Sequence, residues 1–391
     1  MTDEARRGEA TRLIHAGMDA APLRSRTVGP PIQRGSTLLL PDAASLYDHS
    51  RPTYGRQGLA GHEALVAALS ALEHATHVEL YGSGLAALSG AMLAVLASGD
   101  QVLVADGVYG PTRRFCDTVL RRFGVGVGYF PVRATADEVL AKATPATRLI
   151  VMESPASLTF EVQDVAAVAT AARARGVSTL LDNTYAAGLL FKPLDHGVDL
   201  SVQALTKYVG GHADVFMGST AVRDSRLAAR LQALTVEAGW ATSPDDVYQV
   251  LRGLRTLDVR LARHGENAMA VARWLEGRPE VARVLHPALS SSPDHALFSR
   301  DYTAGAGLLG LVLRPASTRA VHALLDRLEL FGLGFSWGGF ESLAIVCDPQ
   351  LKRTAQAWRG EGPLLRLHVG LEDPADLITD LAAGFAALAA A

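Results

Sequence analysis

Residues 178–218, STLLDNTYAAGLLFKPLDHGVDLSVQALTKYVGGHADVFMG, decide the fold. Two short apolar runs, 178–181 and 200–205, lack the polar–apolar alternation of a half-exposed strand and read as strands covered on both faces. Each run ends on a residue with chemistry to offer. Asp182 closes the first, and Lys207 stands just past the second, ahead of a turn opened by Gly210 and Gly211. Ligands of an open parallel sheet bind beyond the carboxyl ends of its strands, so this reading puts an acid and an amine at one edge. A solvated lysine is the plainer reading of Lys207 taken alone. Asp182 shifts it, because a buried carboxylate needs a partner and none is adjacent in sequence.

Outward from this stretch the same pattern continues. Between 61 and 255 short apolar runs alternate with Ala-rich helical stretches, with further strands expected at 101–105, 148–153 and 218–222, which is the pattern of βαβ units. Before it, residues 1–60 are rich in Arg, Pro and Gly, with breakers in GPPIQRGST, LLLPD and RPTYGRQG and no sustained helical period. Such an arm, having no core of its own, is expected to lie on a neighbouring subunit. After it, residues 256–391 begin with an Arg- and Ala-rich helix near Thr256. VARVLHP, GLLGLVL and LLRLHVGL then read as strands, and 318–328 and 373–388 as helices. The fold class expected is α/β: a large, mainly parallel sheet domain followed by a smaller α+β lobe.

Composition excludes several functions. The 391 residues carry 37 Lys plus Arg against 40 Asp plus Glu, and 49% are hydrophobic, enough for a sizeable core. A net charge of -3 without like-charge blocks offers no footprint for nucleic acid or an anionic membrane. The longest apolar tract, 85–97, is broken by Ser89 and Gly90 and falls short of the ~20 residues of a membrane span. The charged start, MTDEARRGEATRLIHAG, lacks a secretion signal's apolar stretch, so a cytoplasmic location is expected. Cys116 and Cys347 have no zinc-type or CxxC spacing and no visible base; they read as packed, reduced thiols.

With only four lysines in the chain, Lys142, Lys192, Lys207 and Lys352, covalent amine chemistry has few candidates. Lys207 joined to an aldehyde, with Asp182 opposite a protonated ring nitrogen, is the protein signature of pyridoxal 5'-phosphate. The phosphate has a place in YGSGLAALSGAML, where Gly82, Ser83 and Gly84 precede a helix whose free N–H groups and dipole attract an anion. Gly and Ser there are equally ordinary caps. Thr206 offers a hydroxyl beside the lysine, Tyr54 and Arg56 are placed to reach in from another subunit, and Tyr109, beyond QVLVAD, to stack on a flat ring.

These residues, together with RGLRTLDVRLARH, FSWGGFESL and LLRLHVGLEDPADLITDLAAGFAAL, resemble the Cys/Met metabolism family of pyridoxal-phosphate enzymes, on its cystathionine β-lyase branch. The likeness runs from about GPPIQRGST to the C-terminus. It implies fold type I and a homotetramer built from dimers that complete each other's sites. By position it implies that Lys207 carries the cofactor, Asp182 pairs with its ring nitrogen and Tyr109 stacks on the ring. Gly84, Leu85 and Thr206 would bind phosphate from the same subunit, and Tyr54 and Arg56 from the neighbour, where Tyr54 would also meet substrate. Arg366, helped by Ser336 and Trp337, would clamp the substrate α-carboxylate, for which a guanidinium fork suits better than an ammonium. The sequence departs from many relatives at Tyr185, at Ala204 and in GLAGHEAL.

The activity implied is α,β-elimination on L-cystathionine or a related cysteine S-conjugate, serving methionine biosynthesis and transsulfuration. Lys207 would take the α-proton, which requires its amine to be neutral. The alternatives are a γ-lyase or γ-synthase of the same family and a non-catalytic regulator on the same fold. A nicotinamide-binding reading fails because no GxGxxG follows the first strand. His74 and His77, in HATH, would share a helix face but have no third ligand, so no metal is expected. His212 reads as structural.

Overall fold

A computed structural model describes residues 8–16, 28–48 and 52–391. The N-terminal expectations that fall on 1–7, 17–27 and 49–51 lie outside the described residues.

The large sheet contains β1 (His77–Tyr81), β2 (Gln101–Ala105), β3 (Gly126–Phe130), β4 (Thr147–Glu153), β5 (Ser178–Asp182), β6 (Leu200–Gln203) and β7 (Gly218–Val222). Their order is β1-β7-β6-β5-β4-β2-β3. The five strands from β6 to β3 run parallel, while β7 is antiparallel to both its neighbours. The central strands are apolar on both faces because helices cover both: Leu149, Ile150, Val151, Leu180 and Leu181 are all buried. The carboxyl ends of β2, β4, β5 and β6 therefore share one edge. β4 and β5 pair in a register that sets Glu153 beside Asp182.

Helix starts follow their caps. Ser83 opens Gly84–Val95 and accepts the Ala86 N–H (3.1 Å). Asp164, Ser317 and Asp373 do the same for Val165–Ala174, Thr318–Arg327 and Pro374–Ala390. The long helix Leu257–Glu276 leads to a second sheet of β8 (Val281–Leu285), β9 (Leu308–Leu313), β10 (Gly332–Leu333), β11 (Leu343–Val346) and β12 (Leu364–His368), ordered β10-β11-β12-β9-β8. Only β10 and β11 pair in parallel. On β12, Leu365 and Leu367 pack into the core of this lobe. Strand alternation turns Arg366, between them, to the opposite face.

Several sequence expectations shift. The strand expected at 200–205 ends at Gln203, so Lys207 sits on a turn, its N–H donating to the Ala204 carbonyl (3.1 Å). Four strands, β1, β3, β10 and β11, were not among those expected. The arm, read as having no sustained helical period, contains a helix, Glu9–His15, whose Leu13 is buried and whose Glu9 pairs with Lys192. His74 and His77 do not share a helix face. His74 ends the helix Ala60–Glu73 in a left-handed conformation (φ 53) and pairs with Asp195, whereas His77 opens β1 and pairs with Glu79. Both cysteines are buried free thiols, and His212 donates from Nδ1 to the nearby Gly210 carbonyl (2.7 Å). Among the described residues no helix is long and apolar enough to cross a membrane.

Candidate active site

A cavity of about 780 Å³ opens at the carboxyl edge of the large sheet, between it and the C-terminal lobe. Asp182 forms part of its floor. Its Oδ1 accepts the Thr184 N–H (3.1 Å) and hydroxyl (2.5 Å), and burial raises its pKa, while those hydrogen bonds and the Lys207 charge act against the rise. Oδ2 has no donor among the described residues.

Lys207 enters the same cavity from the turn after β6. Its Nζ donates to Ser336 Oγ (2.9 Å) and lies 5.4 Å from the centre of the Trp337 ring. Burial first, and the Arg366 guanidinium second, lower its pKa to about 8 against the opposing pull of Asp182. The loop bearing Ser336 and Trp337 rests directly on the lysine's backbone. A Cβ on Gly338, whose φ is +86, would lie 2.8 Å from the Lys207 carbonyl carbon, so only glycine permits this approach. The buried His368 ring contacts the same loop, at the Gly338 N–H and the Gly339 carbonyl (3.1 Å each).

Arg366 reaches the cavity from β12. Its Nη2 donates to the carbonyls of Phe335 (2.9 Å) and Ser336 (3.0 Å), and its buried Nε has no acceptor among the described residues. Tyr109 stands at the rim, 46% exposed, with its backbone N–H on Glu153 (2.5 Å). Burial raises its phenol pKa, with Glu153 and Asp182 adding to the shift.

The corner expected to take phosphate is built by close backbone approach. Gly84 and Leu85 open their helix with N–H groups that have no acceptor among the described residues, and a Cβ on Gly84 would lie 2.4 Å from that of Ala204. Across the corner, a Cβ on Gly218 would lie 2.4 Å from the Ser83 carbonyl oxygen. Thr206 lines the cavity, yet its hydroxyl already exchanges hydrogen bonds with Met217.

The cavity thus brings together Lys207, Asp182, Tyr109, Gly84, Leu85, Thr206, Ser336, Trp337 and Arg366. Tyr54 and Arg56 stay outside it. Tyr54 bridges to Thr37, and Arg56 donates to the Val236 carbonyl (2.9 Å). Sequence reasoning missed Thr184, which holds Asp182 and accepts the Ala204 N–H (2.9 Å), and Glu153, whose burial raises its pKa well above the carboxylate range. The signal for Glu153 was available: it ends an apolar run at the same edge as Asp182. Tyr185, one of the departures, is buried beside the cavity with its hydroxyl accepting the Ala306 N–H (3.1 Å).

The fold is that of the fold-type I pyridoxal-phosphate enzymes. Two solved structures match it nearly end to end: metB of Corynebacterium glutamicum (TM-score 0.91, 29% identity, 98% of this chain and 99% of that one) and cystathionine γ-lyase of Lactobacillus plantarum in complex with L-serine (TM-score 0.90, 28% identity, 97% and 99%). The family described as Cys/Met metabolism PLP-dependent enzyme matches residues 10–386, and the chain belongs to it. Its relatives include a putative cystathionine β-lyase of Rhizobium johnstonii, 44% identical over 98% of this chain and 97% of the relative. Cystathionine β-lyase MetC of Escherichia coli is 39% identical (96% and 98%), and cystathionine γ-synthase of Mycobacterium tuberculosis 38% (96% and 96%). The chain is a pyridoxal-phosphate-dependent enzyme. The cavity fits that group: the close-packed glycine corner presents the first N–H groups of the helix Gly84–Val95 without acceptors among the described residues, and the buried Asp182 keeps one oxygen without a donor.

Proposed function

We propose that the protein catalyses α,β-elimination on L-cystathionine or a related cysteine S-conjugate, converting substrate and water to homocysteine or another thiol, pyruvate and ammonia. The observation that carries this reading is the half-buried Lys207, held between Asp182, Ser336 and Arg366 with its pKa lowered to about 8. Pyridoxal phosphate, when bound, binds the substrate amine and accepts the electrons of the Cα–H bond. Lys207 and Asp182 would hold it at the two ends of its ring, with Tyr109 against the ring face and the Gly84, Leu85 and Thr206 corner at its phosphate.

Arg366 binds the substrate α-carboxylate through its unengaged Nε, and the carbonyls of Phe335 and Ser336 fix the guanidinium plane. Lys207 Nζ, neutral in a useful fraction near neutral pH, takes the α-proton. The Ser336 hydroxyl orients that amine, and the Trp337 ring keeps water from it. Tyr109 stands where its hydroxyl can pass a proton to the departing sulfur. The test is product identification from L-cystathionine with purified holoenzyme. Pyruvate and homocysteine are expected, and 2-oxobutyrate as the main product would replace the β assignment with γ-elimination.

The proposal extends to the assembly. Tyr54 and Arg56 serve a neighbouring subunit's cavity, which supports dimers paired into a homotetramer. The arm 1–60, a cofactor domain 61–255 and a C-terminal domain 256–391 are its parts, and its location is the cytoplasm.

A further inference from the structure

Cystathionine, cystine and simpler cysteine conjugates share the end that meets Lys207 and Arg366. They differ beyond the sulfur, where the far wall of the cavity must choose among them. Two cations on that wall have no partner among the described residues. Arg114, exposed on the short helix Gly110–Phe115, and Lys352, exposed on the loop after β11, both line the cavity. Neither the Arg114 guanidinium nor the Lys352 ammonium makes a hydrogen bond or ion pair among the described residues.

The acids that could neutralise them are engaged elsewhere. Asp106, at the end of β2, accepts N–H groups from Thr354 (2.8 Å), Ala355 (2.8 Å) and Gln356 (3.2 Å), and pairs with Arg113 (2.7 Å). Arg113 in turn donates to the Lys352 carbonyl (3.1 Å), so one buried carboxylate fastens both the loop bearing Lys352 and the residue next to Arg114. Asp117, on the same stretch as Arg114, is shared by Arg113, Arg121 and Tyr129. Glu153 accepts the Tyr109 N–H, burial raises its pKa and so disfavours its charged form, and Asp182 lies on the floor.

We infer that Arg114 and Lys352 form a subsite for a carboxylate carried by the part of the substrate beyond the sulfur. The subsite therefore favours cysteine S-conjugates with an anionic far end over isosteric neutral ones. This deepens the elimination reading and rests on it. Apart from Asp182, whose free oxygen is assigned to the cofactor, the carboxylates lining the cavity are Asp106 and Glu153, both already hydrogen-bonded, so of cystathionine's two distal charges the negative one is recognised. Charges at a wet cavity mouth act at short range and are screened by salt.

The test compares S-(2-carboxyethyl)-L-cysteine with its neutral isostere S-(2-carbamoylethyl)-L-cysteine, measuring pyruvate from the holoenzyme at low salt. The acid is expected to have the higher kcat/KM by about tenfold, chiefly through KM, because only the acid can accept a charge-assisted hydrogen bond as an anion. Added salt should shrink the ratio. Substituting both Arg114→Ala and Lys352→Ala should bring it towards one, and Arg114→Glu should shift preference to S-(2-aminoethyl)-L-cysteine, a reversal that mere structural damage does not produce. Equal kcat/KM for acid and amide, or a ratio the double substitution leaves unmoved, overturns the subsite while pyruvate from the amide keeps the elimination reading. No pyruvate from any conjugate overturns that reading and the subsite with it.

Discussion

As the proposed base, Lys207 has to be a neutral amine at the moment it takes a proton, and an unperturbed lysine at neutral pH is almost wholly charged. Burial does most of the correction, and the guanidinium of Arg366, repelling a second positive charge, does the rest. Turnover should rise with pH through about 8 and level off above it. In Arg366→Ala the repulsion is gone, the lysine pKa moves up, and the rising limb of kcat should move to higher pH. The same substitution removes the charge-assisted hydrogen bond proposed between Arg366 and the substrate carboxylate, worth about 1.5–3 kcal/mol, and so should raise KM by roughly 10- to 100-fold. A pH–rate profile of the variant reads both effects. An unshifted limb would mean that Arg366 binds substrate without tuning the base. Lys207→Ala should abolish turnover and the borohydride-sensitive visible absorbance of the holoenzyme, which a spectrum of the purified variant checks directly.

Secondary-structure elements meet at few points, and two of these carry consequences. The helix Gly84–Val95 approaches the segment after β6 so closely that a methyl on Gly84 would overlap Ala204. Gly84→Ala should push helix and turn apart, cost about 1–3 kcal/mol as overpacking does, and loosen the cofactor, measured as faster conversion to apoenzyme on dilution. The second point is Glu73, which ends the helix Ala60–Glu73 against Ser201 (2.9 Å) and Gln203 on β6. Burial raises its pKa from 4.5 to about 7. Between those values the unfolded chain has lost this proton and the folded one keeps it, so wild-type stability falls as pH rises. The Tm advantage of Glu73→Gln over wild type should therefore grow from pH 4.5 to about 7 and stay flat beyond. Neither junction was legible in the sequence. Both arise between segments far apart in the chain, whereas Asp182 and Lys207 were legible because each closes an apolar run at the sheet edge. The edge strand β3, GVGYF, is half-buried and interrupted by glycine and gave no such signal, whereas β11, LAIV, is a continuous apolar run that does not stand out because only four residues carry it and no charged residue closes it.

At the scale of the whole molecule, each cavity is proposed to be finished by a neighbour, and that has an arithmetic consequence. Tyr54 and Arg56 lie outside their own chain's cavity, with Tyr54 nearly half exposed. If they serve the other subunit of a two-fold dimer, the dimer has two shared sites, each taking Lys207 from one chain and Arg56 from the other. Arg56→Ala and Lys207→Ala homodimers should then both be impaired, the first by loss of a phosphate cation and the second by loss of the base. Co-expressed in equal amounts, the two chains form hybrids in which one site receives both defects and the other neither. Random pairing makes half the dimers hybrid, each with one intact site, so the mixture should regain about a quarter of wild-type activity. Sites built from a single chain would place one defect in each site of every hybrid, and the mixture would show no more than the average of its parents. Activity of the co-expressed pair, set against the two parents mixed after separate purification, separates the two architectures without any need to see the interface.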